Sequence, residues 1–257
     1  MAARAIWKGT IRFGSVKIPV KLYSAVVDRN IRFQLLHDQD YVPVKQRMVN
    51  SKTEETVPHD KTRKAYEVER GLFVVLTEKE LESLEPKPSR DIEVTQFVGR
   101  DSIGQQWYVR PYYVGPDGDE ADYFALVEAL EHEGKVGIAS WVMRGHQYTG
   151  ALVPQDGYLV LVTLRHADEV IPRSELKPPE GNPLDKKERE LAGQLLAALE
   201  EEFVPADYRD EYRERVMKLI ESKRTGRPLR APKVPKKQKT TSLAQSLRES
   251  LKRVKQR

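Results

Sequence analysis

The chain predicts a mainly β fold with added helices, a barrel or a sandwich, and three observations carry that reading. Over the first 165 residues, short apolar-rich segments recur between Gly, Pro, Asp and Asn turn signals. Helical periodicity interrupts them at only two places. After a proline-rich connection, residues 172–183, the pattern turns wholly helical.

Residues 6–13 alternate, with Trp7, Ile11 and Phe13 opposite Lys8, Thr10 and Arg12. Gly14-Ser15 shifts the phase, and in 16–22 the apolar set Val16, Ile18, Val20 and Leu22 stands opposite Lys17 and Lys21. Two neighbouring strands with cationic outer faces are expected. Further strands are expected at 30–37, 41–49, 71–76, 91–98, 107–114, 135–143, 146–153 and 158–165. Thr77 and Glu80 form a capping box opening a short helix with Leu81 and Leu84 inward. Asp119 caps a longer helix, in which Tyr123, Leu126, Val127 and Leu130 fall on one stripe. Residues 185–203 place Leu191, Leu195, Leu196, Leu199 and Phe203 on another, ended by Pro205. Asp207 then caps a helix with Tyr208, Tyr212, Val216, Leu219 and Ile220 inward and Gly226 as its stop. Residues 227–241, proline-rich and without an acid, read as a disordered basic linker. Ser242 can cap a terminal amphipathic helix, 242–257, carrying Leu243, Leu247, Leu251 and Val254 on one stripe.

Composition excludes several classes of chemistry. With no Cys there is no disulfide framework, thiolate zinc site, iron–sulfur cluster or cysteine nucleophile. The five histidines show no metal-ligand spacing, and no Gly-rich phosphate loop or GxSxG elbow occurs. Ser174 and Lys177 match an SxxK pattern but lie between prolines, and Asp117-Gly-Asp-Glu120 lacks the remaining ligands of a calcium loop. No catalytic residue, metal or cofactor is expected. Arg4 and Lys8 interrupt the N-terminus, and no apolar run reaches 18 residues, so a soluble cytoplasmic protein without membrane attachment is expected.

The positive signals concern binding. Residues 222–257 hold 13 basic residues against the single acid Glu249, a net charge of +12, whereas the remainder carries −7. Clustered cations gain affinity for polyanions by counterion release, which makes Lys223, Arg224, Arg227, Arg230, Lys233, Lys236, Lys237 and Lys239 candidate nucleic-acid contacts; a solubilising tail is the alternative. A second basic stretch, 41–66, contains Lys45, Arg47, Lys52, Lys61, Arg63 and Lys64. Its poorly apolar tip suits an arm that reaches a partner, or an ordinary solvated loop. Only Tyr41 and Tyr66 flank it, which favours phosphate contacts on a duplex over base stacking on a single strand.

Several stretches, in order, resemble the Ku family of DNA-end-binding proteins in its short bacterial form. They are Trp7-Lys-Gly-Thr-Ile-Arg-Phe-Gly14 with Val16 to Ala25, Ala65-Tyr66 with Phe73 to Glu78, Arg110-Pro-Tyr-Tyr113, Ala167-Asp-Glu-Val170, and Tyr208 to Arg213 leading into Glu221 to Gly226. The segment Ser242 to Leu251 resembles the family's C-terminal segment. The resemblance implies a Ku-type core over 1–226, made of a β-barrel (1–170), a bridging arm (about 41–66) and a helical part (184–226), followed by the flexible basic tail. It implies a homodimer closing a ring around duplex DNA ends in non-homologous end joining, a nucleoid-associated place in a bacterial cell, and no enzymatic activity. Lys45, Arg47, Lys61, Arg63 and Lys64 become bore candidates, with Arg144 in the turn Met143-Arg-Gly-His146 beside them. The stripe Leu243, Leu247, Leu251 and Val254 would recruit and stimulate a multifunctional end-joining DNA ligase. Many relatives carry a Cys-x-x-Cys pair where this chain reads Met48-Val-Asn-Ser-Lys-Thr-Glu54, so any metal or redox role of that pair is absent here. A general basic-tailed nucleic-acid binder without end selectivity and a metal-dependent nuclease are the rival readings.

Overall fold

A computed structural model describes residues 4–118, 120–178 and 185–226. Seven strands close a barrel in the order β1-β2-β6-β9-β8-β7-β5. They are β1 (Trp7–Phe13), β2 (Val16–Ser24), β5 (Asp91–Gly99), β6 (Tyr108–Pro116), β7 (Lys135–Met143), β8 (His146–Gln155) and β9 (Tyr158–Leu164). Six of the seven pairings are antiparallel, and the barrel shuts through the parallel pair β1–β5, Thr10 opposite Asp91 to Arg12 opposite Glu93. At this seam the Thr10 amide donates to the Arg90 carbonyl at 2.8 Å. Gly9 is required there, because a Cβ would collide with the Trp7 ring and the Arg90 carbonyl.

The alternation expected from sequence sets the two faces. Ile11, Ile18, Val20, Leu22, Ile92, Tyr112, Val114, Trp141, Leu152, Leu159 and Leu161 are buried in one core. At Gly150 a Cβ would lie 2.7 Å from the Trp141 ring and 2.6 Å from the Val162 carbonyl, so the missing side chain makes room for the indole. The cationic outer face of β1 and β2 largely neutralises itself. Asp117 binds Lys21 at 2.6 Å and Lys8 at 3.0 Å, and Arg12 binds Asp91 at 2.8 Å. Hydrogen bonds from Lys21 and then Lys8 hold the Asp117 carboxyl below the usual carboxylate range.

Strand directions give the barrel two ends. The β1–β2 and β8–β9 turns lie at one, together with α2 (Glu120–His132), which links β6 to β7. Tyr123, Leu126, Val127 and Leu130 of α2 are buried, as its stripe predicts; the expected cap Asp119 lies outside the described residues. The Tyr123 hydroxyl donates to the Val114 carbonyl at 2.6 Å and accepts from the Leu159 amide at 2.8 Å. Val114 and Leu159 form the last pair of the β6–β9 ladder, so the phenol links the helix to both strand ends.

At the opposite end β2 stops and β5 begins, on either side of β1. Two strand spacings separate them, about 10 Å, which a handful of residues would cross. The chain instead spends residues 25–90 on an excursion. Two small turns are held by the isolated bridges Leu36–Pro43 and Val49–Thr56, where strands were expected at 30–37 and 41–49. A hairpin follows, β3 (Lys64–Glu69) with β4 (Leu72–Leu76), and then α1 (Glu78–Leu84), opened by the Thr77/Glu80 capping box. Leu84 does not point inward but is 80% exposed, because α1 has no packed layer beneath that face.

After the barrel, α3 (Lys186–Ala198) starts at Asp185 and α4 (Glu211–Thr225) at Asp210. Asp207, the expected cap, belongs instead to a 3₁₀ turn with Pro205, and Gly226 stops α4 in the left-handed region, φ 70°. Neither helix buries a residue, so the expected inward stripes, including Leu196, Leu199, Tyr212 and Ile220, lie at the surface of the single chain.

Burial pushes the Tyr123 phenol up to about 12. A native value above the unfolded value of about 10 means the folded state holds the proton more tightly, so this stability is complete below pH 10 and lost as pH rises toward 12. Tyr123→Phe is expected to cost about 2 kcal/mol at neutral pH by leaving two strand-end groups unpaired, and to flatten the alkaline decline. Urea unfolding of both proteins from pH 7 to 11 measures this.

Candidate nucleic-acid interface

The sequence-predicted cations of the arm are exposed. Lys45 and Arg47 lie on the extended stretch between the two small turns, and Lys52 sits in the second turn, where its amide donates to Asn50 Oδ1 at 2.9 Å. Lys61 ends a 3₁₀ turn, His59–Lys61, and Lys64 opens β3 opposite Leu76. Arg63 Nη1 donates to the carbonyls of Thr62 at 2.8 Å and Asp60 at 3.2 Å, which folds the guanidinium back onto its own turn, and it makes no ion pair among the described residues. Among the described residues of 25–90, the ion-pair contacts are Arg32–Asp28 and those of His37 with Asp38 and Asp40.

Counting charge refines this picture. Residues 25–90 contain twelve Lys and Arg and twelve Asp and Glu, so the arm as a whole is neutral. The excess is local, six cations against three acids over 43–64. Attraction of a polyanion therefore depends on which face these cations share, because charges beyond about 10 Å are screened at ordinary ionic strength.

Arg144 lies at the same barrel end as the arm, in the two-residue turn joining β7 to β8. Its φ of 56°, followed by 77° at Gly145, matches the mirror-image turn of tight hairpins, where Asn, Asp or Gly is favoured. Arginine there is held in an uncommon conformation with its side chain beside a cavity of about 720 Å³ at the arm's root. Lys87 and Arg90 line the same cavity, as do Glu82 and Glu85. Sequence reasoning missed Lys87 and Arg90. They sit among Pro86, Pro88 and Ser89 with no local pattern, and only barrel closure brings them to Arg144.

Lys223 and Arg224 occupy the last turn of α4, where they suit the negative end of the helix dipole. Arg224 is already engaged, donating from Nε and Nη2 to the two Glu221 oxygens at 2.9 Å each. The candidates Arg227, Arg230, Lys233, Lys236, Lys237, Lys239, Leu243, Leu247, Leu251 and Val254 lie outside the described residues. Among the described residues, no group of three or more His, Asp and Glu is placed to hold a metal ion, and no helix is long and apolar enough to cross a membrane.

The arm also exposes apolar surface. In β3–β4, Tyr66 and Val74 share one face while Phe73 and Val75 share the other, and all four are about half exposed or more. A ribbon that is apolar on both faces is built to be covered on both.

A family model described as the Ku70/Ku80 beta-barrel domain matches residues 12–191. The non-homologous end joining protein Ku of Anaeromyxobacter sp. (strain K) is 39% identical over 97% of this chain and 85% of its own length. The protein of that name from Archaeoglobus fulgidus is 37% identical over 98% of this chain and 100% of its own, and that from Bacillus subtilis is 33% identical over 96% and 81%. The expected barrel, the excursion 25–90 that leaves one of its ends and these relatives agree: the chain belongs to the Ku family.

Proposed function

We propose that this protein binds the ends of double-stranded DNA in non-homologous end joining, as a homodimer whose arms close a ring around the duplex. The observation that carries this reading is the excursion 25–90. It is far longer than the β2-to-β5 connection needs, carries cations without carboxylate partners, and bears an apolar ribbon uncovered on both faces. Phosphates answer the first need and a second copy answers the second. A closed ring loads only over a free end, so end selectivity requires neither base reading nor catalysis. Contact with phosphate and sugar makes binding independent of sequence and steeply salt-dependent, with a slope of about −0.9 per phosphate neutralised.

Lys45, Arg47, Lys52, Lys61, Arg63, Lys64 and Arg144 form the proposed bore, with Lys87 and Arg90 added at the arm's root. The basic segment from Lys223 to Lys239 supplies sequence-independent affinity. Leu243, Leu247, Leu251 and Val254 form the stripe that docks the end-joining ligase.

Competition between linear duplex and the same DNA as a closed circle, for the full chain and for residues 1–226, tests the ring. Linear DNA is expected to win with both proteins; equal competition by circles would leave a general polyanion binder. Changing Lys45, Arg47, Arg63 and Lys64 together to Glu is expected to lower end affinity by at least about 100-fold while thermal unfolding stays unchanged, read by gel shift at fixed salt. Leu247→Asp with Leu251→Asp is expected to spare end binding and to abolish stimulation of ligation, read by a joining assay with the ligase added.

A further inference from the structure

The outer wall of the barrel carries a feature that the end-binding reading does not use. On that wall Tyr23 of β2 stands directly opposite Tyr113 of β6, which stands opposite Val160 of β9. Two residues along the same face, the positions are Lys21 on β2, whose ammonium is paired with Asp117 at 2.6 Å, Gly115 on β6 and Tyr158 on β9. A residue without a side chain thus lies among three tyrosines, with the paired Lys21 across from it, and the result is a cavity of about 370 Å³.

The cavity depends on Gly115. A Cβ there would lie 3.3 Å from Cε2 of Tyr23, and a larger side chain would fill the space. Tyr158 is braced by Phe124 of α2, whose ring lies 6.2 Å away at 68°. Within the described residues, none of the three phenol hydroxyls makes a hydrogen bond, so their positions follow from packing of the rings and not from a polar network.

One charged residue, Asp156, lines this cavity. It makes no ion pair among the described residues, and its carboxylate accepts only from Gln155 Nε2, at 3.4 Å. Aromatic faces are electron-rich, and an unneutralised carboxylate beside three of them gives a cavity that attracts organic cations. Tyr113 and Tyr158 are each 54% exposed and Phe124 is 42% exposed, so a small free cation would leave this apolar rim in water. A cationic side chain flanked by apolar residues covers both.

We propose that Tyr23, Tyr113, Tyr158 and Asp156, arranged over Gly115, form a recognition pocket for an arginine or lysine side chain presented by a partner protein. The pocket is independent of DNA-end binding, and its failure leaves that reading untouched.

Nuclear magnetic resonance of the full-length protein tests it, with two probes: acetyl-Leu-Arg-Leu-amide and its neutral isostere acetyl-Leu-citrulline-Leu-amide. The arginine peptide is expected to give saturable shifts at the Gly115 and Gly157 amides, with the citrulline peptide at least about tenfold weaker. Gly115→Val is expected to abolish the response. Asp156→Asn keeps the left-handed turn that Asp156 occupies at φ 51°, and is expected to weaken the arginine peptide about tenfold; it decides the matter alone if Gly115→Val fails to fold. Both variants are expected to bind linear DNA as the parent does. Equal shifts with citrulline, an unsaturable response, an unchanged response in Asp156→Asn, or loss of end binding in that folded variant would each overturn the assignment.

Discussion

The parallel seam between β1 and β5 is the constraint on which the rest of the molecule depends. Six antiparallel pairings can be joined by turns or short connections, but a parallel closure forces β2 to leave and β5 to enter at the same barrel end, on opposite sides of β1. The seam is tight. Gly9 lets the Trp7 ring and the Arg90 carbonyl approach, the Thr10 amide donates to that carbonyl, and Arg12 binds Asp91. Both roots of the arm are therefore anchored in rigid sheet, while the residues between them are free to serve a partner.

The two barrel ends have different chemistry for the same topological reason. At one end α2 buries a stripe over the strand termini and Tyr123 satisfies groups that a ladder's end leaves open. At the other the arm, Arg144, Lys87 and Arg90 gather, with Glu82 of α1 lining the same cavity. The cations that the sequence places on the outer face of β1 and β2 are mostly spent on Asp117 and Asp91. In the arm, Lys45, Arg47, Lys52, Lys61, Arg63 and Lys64 make no ion pair among the described residues.

The barrel was legible because alternation reports burial directly. Ile18, Val20 and Leu22 point inward while Lys17 and Lys21 do not, and the same logic located β5 to β9 and the buried stripe of α2. Alternation fails where burial is absent. Residues 30–37 and 41–49 have strand-like composition, yet the first finds one isolated bridge and the second two, since neither lies beside a strand of the barrel or of the β3–β4 hairpin. For β3, with Lys64, Glu67 and Glu69 in six residues, no strand was expected, and its partner β4 draws it into a hairpin. The stripes of α3 and α4 were read correctly as amphipathic, but amphipathicity does not name the surface that covers it. The exposed cations of 43–64 were visible as composition; Lys87 and Arg90 were not, because nothing local marks a residue that matters only through closure.

The β3–β4 ribbon has a consequence for the protein's life in the cell. Leu72-Phe-Val-Val-Leu76 is a five-residue apolar strand with one hydrogen-bonding edge unpaired among the described residues, in a sheet of two strands. Such a segment is a template for aggregation and a handle for proteases and chaperones until something shields it. Chains whose ribbon stays uncovered would thus be cleared faster than chains in which it is shielded, and quality control, acting on a strand edge, would set how much of the protein a cell keeps in readiness.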